Sequence, residues 1–186
     1  MQFALPLFGK INYLTTSYEL QLPMNYNFPI IYWSNKATKV QFQIFNETPA
    51  VNQVTACMVC VVKDNSILLS KPQRGWGLPG GHLEHNESPQ DCAIREVREE
   101  TNVEILDLEL IGGWKAEKIK EIELNKRYPE VSYQLLFFAK PSKINEFIPT
   151  EEILERKFVN LDQIQKYHHD FDKFSEILKY VVNQYL

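Results

Sequence analysis

The sequence predicts an α/β fold from residue 51 onward, preceded by a β-rich segment over residues 1–50. Residues 54–62 are a nearly continuous apolar run, which is typical of a strand buried on both faces of a sheet. Ser88 opens a helix pattern, and residues 164–185 carry apolar side chains at helical spacing. With 186 residues, 44% of them hydrophobic, the chain is long enough for one well-buried core.

Residues 1–50 differ in composition from the rest of the chain, because they are rich in aromatic residues and asparagine and poor in charge. Candidate strands lie at residues 18–22, 29–33 and 40–45, the last with alternating apolar and polar residues. We therefore predict a β-rich N-terminal extension, followed by a second unit over residues 51–186. Exposed strand edges in the extension would allow a homodimer.

Strand and helix patterns alternate after residue 51. The turn Lys63-Asp64-Asn65-Ser66 joins the first strand to a second at residues 67–70, which predicts a hairpin. Further strands are predicted at residues 105–112, 133–139 and 157–161, with a charged stretch at residues 115–130. One terminal helix follows, and its apolar stripe is expected to pack on the core.

Charge and composition narrow the classes of function. The net charge of -4 and the pI of about 5.6 give no basic field, so we expect neither a nucleic-acid polymer nor a membrane as partner. No apolar run approaches the roughly 18 residues of a membrane span. Three cysteines, an odd number, do not indicate a disulfide framework. We expect a cytoplasmic protein.

The helix that begins after Ser88 has a strong start signal. Ser88 can cap the helix, Pro89 suits the first helical position, and Asp91 stands where a capping-box acid belongs. The helix is predicted to run to about Thr101. Its buried arc is predicted to consist of Ala93, Ile94, Val97 and Thr101.

Three carboxylates, those of Glu96, Glu99 and Glu100, border this buried arc. Like charges at helical spacing repel, and an ordinary solvated helix flank is one explanation for them. The upstream sequence favours another, because a tight glycine loop around Pro79 brings backbone carbonyls near the helix. Hard divalent cations prefer such oxygen ligands, so the pattern predicts a dication among the glutamates.

The spacing of these residues resembles the Nudix box, G-x5-E-x7-R-E-U-x-E-E-x-G-U, where U is a bulky aliphatic residue. The matching positions are Gly81, Glu87, Arg95, Glu96, Val97, Glu99, Glu100 and Val103. Asn102 replaces the last glycine of the box, and Asn is the next best residue for a left-handed helix end. The resemblance extends over roughly residues 51–182. It implies an α/β/α sandwich with a mixed sheet, and hydrolysis of a nucleoside diphosphate linked to another moiety.

The resemblance also implies a metal cofactor. Mg²⁺, or Mn²⁺ in its place, would be held by Glu96, Glu99 and Glu100, with the carbonyl of Gly80 or Gly81 as a further ligand. Such a metal would neutralise the charge of a diphosphate, which otherwise repels nucleophiles.

Catalytic roles follow from the same resemblance. Arg95 would pair with a box carboxylate, Glu87, and hold the constellation in place. Glu96 or Glu99 would accept the proton of the attacking water, although in this family the general base can lie outside the box. The candidates outside it are Glu117, Glu121, Glu123, Glu130 and Glu152.

Substrate recognition is less defined than the metal site. Side chains that could contact a nucleobase are Arg74, Trp76, Tyr133 and Phe137. The lysines and the arginine of residues 115–127 could bind phosphate, but the glutamates between them favour a solvated loop. For His82 and His85, which lie in the box, a solvent-facing position is favoured. The downstream marker residues of three subfamilies, the ADP-ribose, diadenosine polyphosphate and NADH hydrolases, are missing. A nucleoside triphosphate, a nucleotide sugar or another diphosphate stays open.

A second class of function competes with hydrolysis. The chain could be a nucleotide-sensing module that keeps the fold and does not cleave its ligand, although a pure sensor has no need of the full carboxylate set. An isomerase acting on a diphosphate-bearing alcohol is a third possibility that no feature of the sequence supports. We therefore favour a small-molecule nucleotide as substrate.

Overall fold

A computed structural model describes residues 26–45 and 47–185 of the chain. The strands are β1 (Ile30–Trp33), β2 (Thr38–Ile44), β3 (Val54–Lys63), β4 (Ser66–Pro72), β5 (Gly80–His82), β6 (Val103–Lys118), β7 (Val131–Ile144) and β8 (Ile153–Asn160). The helices are α1 (Pro89–Thr101), α2 (Ile164–Tyr167) and α3 (Phe171–Tyr185).

The strands form a mixed sheet in the order β1-β2-β6-β7-β3-β4-β8, with β5 paired to β3. β3 and β7 run parallel, whereas the other neighbours are antiparallel. β3 is buried on both faces, because Cys57, Val59 and Val61 pack beneath α1 while Cys60 and Val62 pack on the side of α3. The predicted α/β/α sandwich with a mixed sheet is confirmed.

The hairpin and the last strand test the sequence predictions. The strands predicted at residues 54–62 and 67–70 are confirmed as β3 and β4, and Asp64 takes a left-handed φ of 52° in the turn between them. β8 begins at Ile153, earlier than predicted, because its first residues pair with the end of β4.

The N-terminal strands join the same sheet. β2 pairs with β6 along its whole length, and Phe42 packs edge-to-face against Trp114 on the neighbouring strand. Phe28 and Phe42 lie in the core on the α3 side. The strand predicted at residues 18–22 lies outside the described residues, and the boundary at residue 50 and the homodimer stay predictions.

α1 begins and ends as predicted. The Ser88 hydroxyl accepts from the Asp91 backbone N–H at 3.1 Å, and Asn102 ends the helix with a left-handed φ of 52°. The predicted buried arc is wrong for Ile94, which is 45% exposed, whereas Cys92 is fully buried. The arc therefore extends toward Cys92, and this shift places Glu96 and Glu100 within it instead of at its border.

The C-terminal helix is interrupted where the sequence predicted continuity. α2 ends before His168, whose ψ of 116° is extended, and α3 starts at Phe171. The His169 backbone N–H donates to the Trp76 carbonyl at 3.0 Å, so the chain leaves the helix to bond the loop before β5. No helix of the described residues is long and apolar enough to cross a membrane.

Candidate active site

Arg95, in the middle of α1, is the centre of an ion-pair network with three glutamates. Its guanidinium donates to both carboxylate oxygens of Glu87, at 2.7 and 2.9 Å. The Nη1 atom donates to Glu96 at 2.8 Å and to Glu99 at 3.0 Å. Such charge-assisted, bidentate bonds fix geometry strongly. In this structure Arg95 offsets the mutual repulsion of the carboxylates.

The network shifts the protonation equilibria of its members. Hydrogen bonds from Arg95 lower the pKa of Glu87 from 4.5 to about 2, and the same bonds raise the pKa of Arg95. The Glu87 side chain is 10% exposed. Glu87 is therefore ionised at neutral pH and becomes protonated only as the pH falls towards about 2.

We expect this ion pair to be visible in acid unfolding. Because the folded-state pKa is depressed, Glu87 stabilises the fold above pH 4.5, and this contribution is lost as the pH falls towards about 2. In Glu87→Gln the contribution is absent, so the free energies of unfolding of variant and wild type should converge in that interval. Urea unfolding as a function of pH measures both.

Glu151→Gln is the matched control for this experiment, because Glu151 is exposed and forms no ion pair within residues 26–45 and 47–185. The difference in the free energy of unfolding between Glu151→Gln and wild type should vary less with pH than the corresponding difference for Glu87→Gln. A constant gap between Glu87→Gln and wild type from pH 7 to about 2 would contradict the assignment.

Glu100 accepts hydrogen bonds from two strands that lie beside α1, namely β4 and β5. Its Oε2 accepts from the Ser70 hydroxyl at 2.7 Å and from the Gly80 backbone N–H at 3.2 Å. Burial raises the pKa of this carboxyl, against the effect of these two bonds. Glu100 therefore links α1 to both β4 and β5.

Two glycines make this close approach of helix and strand possible. A side chain at Gly81 would overlap the carboxylate of Glu96, and one at Gly80 would overlap the backbone of Cys57 and Met58. Gly80 also has a φ of +157°, which favours glycine. The glycine loop is thus required by the packing of Glu96 against β5.

A cleft of about 210 Å³ opens on the α3 face of the sheet, and its lining includes Gly80 but none of the box carboxylates. Gly80 forms part of its wall and also donates to Glu100, so the cleft and the acidic helix meet at this residue. Trp33, Trp114, Gln134, His169 and Lys173 also line the cleft.

Of the four residues predicted to contact a nucleobase, Arg74 alone lines the cleft. Phe137 is 1% exposed and packs beneath α1, so the expectation that it contacts the substrate is wrong. Tyr133 packs on the same side against Phe45. Trp76 packs edge-to-face against Tyr167 and lies outside the cleft lining.

Strand alternation explains the error on β7. Successive side chains of a strand point to opposite faces, so Tyr133 and Phe137 share the α1 face while Gln134 faces the cleft. The prediction named the aromatic residues Tyr133 and Phe137 and did not include Gln134, which lies between them. Counting alternate positions from the apolar Leu136 would have found Gln134.

The junction between α2 and α3 forms another part of the cleft wall. His168 stacks between His169 and the ring of Phe174, and burial lowers its pKa to about 4, so it is neutral near pH 7. His169 Nδ1 lies 2.6 Å from the Trp76 carbonyl. The helix predicted from the apolar spacing of residues 164–185 is continuous through His168 and His169, so it did not place them in the cleft wall.

The fold and this site define a class of protein: an α/β/α sandwich that presents an Arg-centred glutamate helix beside a cleft. The NUDIX domain family model matches residues 51–178. The chain therefore belongs to the Nudix family, and the prediction of a Nudix-type hydrolase is confirmed at the level of the family.

Individual relatives match this chain over only part of its length. The Nudix hydrolase YvcI of Bacillus subtilis is 46% identical over 63 residues, which cover 33% of this chain and 39% of YvcI. The NAD-capped RNA hydrolase NudC of Pseudomonas aeruginosa is 30% identical over 114 residues, 58% of this chain and 36% of NudC. The chain thus spans well under half the length of these two relatives.

A solved structure supports the fold. The Bacillus subtilis pyrophosphohydrolase BsRppH superimposes with a TM-score of 0.63 at 21% identity, over 84% of this chain and 96% of that one. The family match begins at residue 51, after β1 and β2.

Proposed function

We propose that the chain hydrolyses the pyrophosphate bond of a nucleoside diphosphate linked to another moiety, with Mg²⁺ as cofactor and Mn²⁺ as an alternative. The observation that carries this proposal is the position of Gly80. It is a wall of the cleft and a hydrogen-bond donor to Glu100, so a nucleotide in the cleft would place its phosphates beside the box carboxylates.

The donor chemistry of the site fits a hard cation. Glu96 and Glu99 accept from the same Arg95 nitrogen, so their carboxylates lie close together, and Gly81 lies directly against the Glu96 carboxylate. The described residues contain no ready-made group of three or more metal-ligating side chains. Mg²⁺ keeps several waters and needs few direct protein ligands, so such a group is not required.

A bound Mg²⁺ would neutralise phosphate charge and make attack of water at phosphorus feasible. The residues of the chain hold the site in place, since Arg95 fixes Glu87 and Glu96 while Ser70 fixes Glu100. Of the two box candidates for the general base, Glu99 has the more accessible side chain, 54% exposed against 12% for Glu96. We therefore favour Glu99 for proton transfer.

Four of the five candidates outside the box form ion pairs, and Glu152 forms none among the described residues. Glu117 pairs with Lys115 and Lys39, and Lys118 pairs with both Glu121 and Glu130. A carboxylate held in an ion pair is a weaker base, because the neighbouring cation favours its charged form. The same criterion applies to Glu99, which accepts from Arg95 at 3.0 Å, so the choice of Glu99 rests on the accessibility of its side chain alone.

A hydrolysis screen tests the proposed function. The panel comprises nucleotide sugars, dinucleotides, nucleoside triphosphates and oxidised triphosphates, with Mg²⁺ or Mn²⁺ and a coupled phosphatase. An NAD-capped RNA is included because NudC is named for that substrate, which checks the expectation that no nucleic-acid polymer is bound. Tight nucleotide binding without turnover across the panel would instead favour the nucleotide-sensing module.

A further inference from the structure

The loop between β6 and β7 is tied to the fold by a buried asparagine. Asn125 is 4% exposed, and its amide donates to the Lys120 carbonyl at 2.9 Å and to the Thr38 hydroxyl at 3.2 Å. Its side-chain oxygen accepts from the Ile122 backbone N–H at 2.8 Å. These bonds hold the loop in one conformation, since a buried amide without partners would be costly.

The same loop contacts the Nudix box. The Tyr128 ring stacks on His82 with an interplanar angle of 14°, and a hydrogen bond of 3.0 Å joins the Tyr128 hydroxyl to His82 Nε2. His82 follows Gly81, and its backbone carbonyl accepts from Arg95 at 3.1 Å. The loop is therefore attached directly to the network that surrounds the carboxylates.

This contact lies on the substrate side of the sheet. Gly80 and His82 are two residues apart on β5, so both face the side of the cleft. A second cavity of about 350 Å³, lined by Tyr128, shares Trp33 and Gln134 with the cleft. The loop thus borders a cavity that adjoins the cleft at Trp33 and Gln134.

Arg127 projects a positive charge from this attachment point. Its guanidinium lies 4.7 Å from the centre of the Tyr128 ring, and it donates to the Tyr128 hydroxyl. Lys118 and Lys126 of the same region pair with glutamates, whereas Arg127 forms no ion pair with any residue that the structure describes. Its charge is available to an anion.

We propose that Arg127 binds a phosphate group of the substrate, and that Tyr128 and His82 are positioning residues that carry it to the edge of the site. This inference rests on the proposed function. A guanidinium matches phosphate oxygens in geometry and can bind them bidentately, which an ammonium cannot do. The stack on Tyr128 holds the planar group in place before a substrate binds.

Arg127→Gln and Lys120→Gln form a matched pair of variants. Lys120 is an exposed cation of the same loop, and like Arg127 it lacks an ion pair among the described residues, but it makes no contact with the box. Both variants are compared with wild type in binding of imidodiphosphate with Mg²⁺ by calorimetry. KM and kcat are measured for the best substrate of the screen.

We expect Arg127→Gln to weaken imidodiphosphate binding and to raise KM by about 10-fold or more, with a smaller change in kcat. Lys120→Gln should stay within about twofold of wild type, and Arg127→Lys should recover part of the loss. Tyr128→Phe, which removes the hydroxyl partner of Arg127, should raise KM less than Arg127→Gln does.

Unchanged binding in Arg127→Gln would overturn the inference. So would an equal loss in Arg127→Gln and Lys120→Gln, which indicates only long-range attraction. Absence of imidodiphosphate binding by the wild type would also overturn it. The proposed function fails separately, if the wild type binds imidodiphosphate in an Arg127-dependent way but hydrolyses no compound of the panel.

Discussion

Glu100→Gln is expected to lower kcat/KM by about 100-fold or more while leaving the protein at least as stable as wild type. Gln has the same shape and can still accept from Ser70 and Gly80, so the packing of α1 on β4 and β5 survives. The change removes a buried negative charge. Burial raises the pKa of Glu100, so the ionised carboxylate costs stability at pH 7 and its neutral replacement should not.

Glu99→Gln should lose activity to a comparable degree by a different route. Its side chain is 54% exposed, so the free energy of unfolding should change by no more than about 0.5 kcal/mol. Activity is measured over a Mg²⁺ titration, and stability by urea unfolding. Glu104→Gln is the control, because Glu104 pairs with Lys143 at the surface. Normal turnover in both Glu99→Gln and Glu100→Gln would show that the carboxylates are not the catalytic centre.

Local sequence rules were sufficient for the glutamate helix. Ser88 and Asn102 define its ends through their own backbone and side-chain preferences, so both ends could be predicted without knowledge of the rest of the fold. The pairing of Arg95 with Glu87 was implied by the resemblance to the Nudix box and not by a local rule, and the structure contains this ion pair. The catalytic and metal-binding roles of these residues stay predictions.

The cleft depends on contacts between distant segments, and for this reason the sequence revealed little of it. Trp33 and Trp114 lie on β1 and β6, which only the paired sheet brings together with Gln134 of β7. The break before α3 has the same origin, since His169 gives up helix continuity for a bond to Trp76. Neither pairing has a local signal in the sequence.

Ile94 shows a limit of periodicity. Ile94 is apolar and stands at helical spacing, so it was expected to be buried. Instead, the side of α1 that carries Glu96 packs against Gly81 of β5. The contact of Glu96 with Gly81 rotates the buried arc, which leaves Ile94 exposed. The acidic residue Glu96 therefore lies on the buried arc of α1, whereas a purely hydrophobic criterion places Ile94 there.

Arg95→Ala is expected to destabilise the protein by about 3 kcal/mol and to abolish most activity. Removing the guanidinium leaves Glu87 and Glu96, whose side chains are 10% and 12% exposed, without their cation. Uncompensated carboxylates with so little solvent access are costly, and their repulsion would drive Glu96 away from Gly81. Arg98→Ala is the matched control on the same helix, because Arg98 is exposed and should cost no more than about 1 kcal/mol.

The pH dependence separates this electrostatic mechanism from a simple loss of packing. As the pH falls towards about 2, Glu87 becomes protonated in the wild type and the ion pair with Arg95 is lost, so the stability difference between wild type and Arg95→Ala should narrow. A packing defect would give the same difference at pH 7 and at pH 3. Urea unfolding at both values, with kcat/KM measured well below the melting temperature of the variant, distinguishes the two. If Arg95→Ala unfolds no more readily than Arg98→Ala at pH 7, Arg95 is not the residue that holds the carboxylates together.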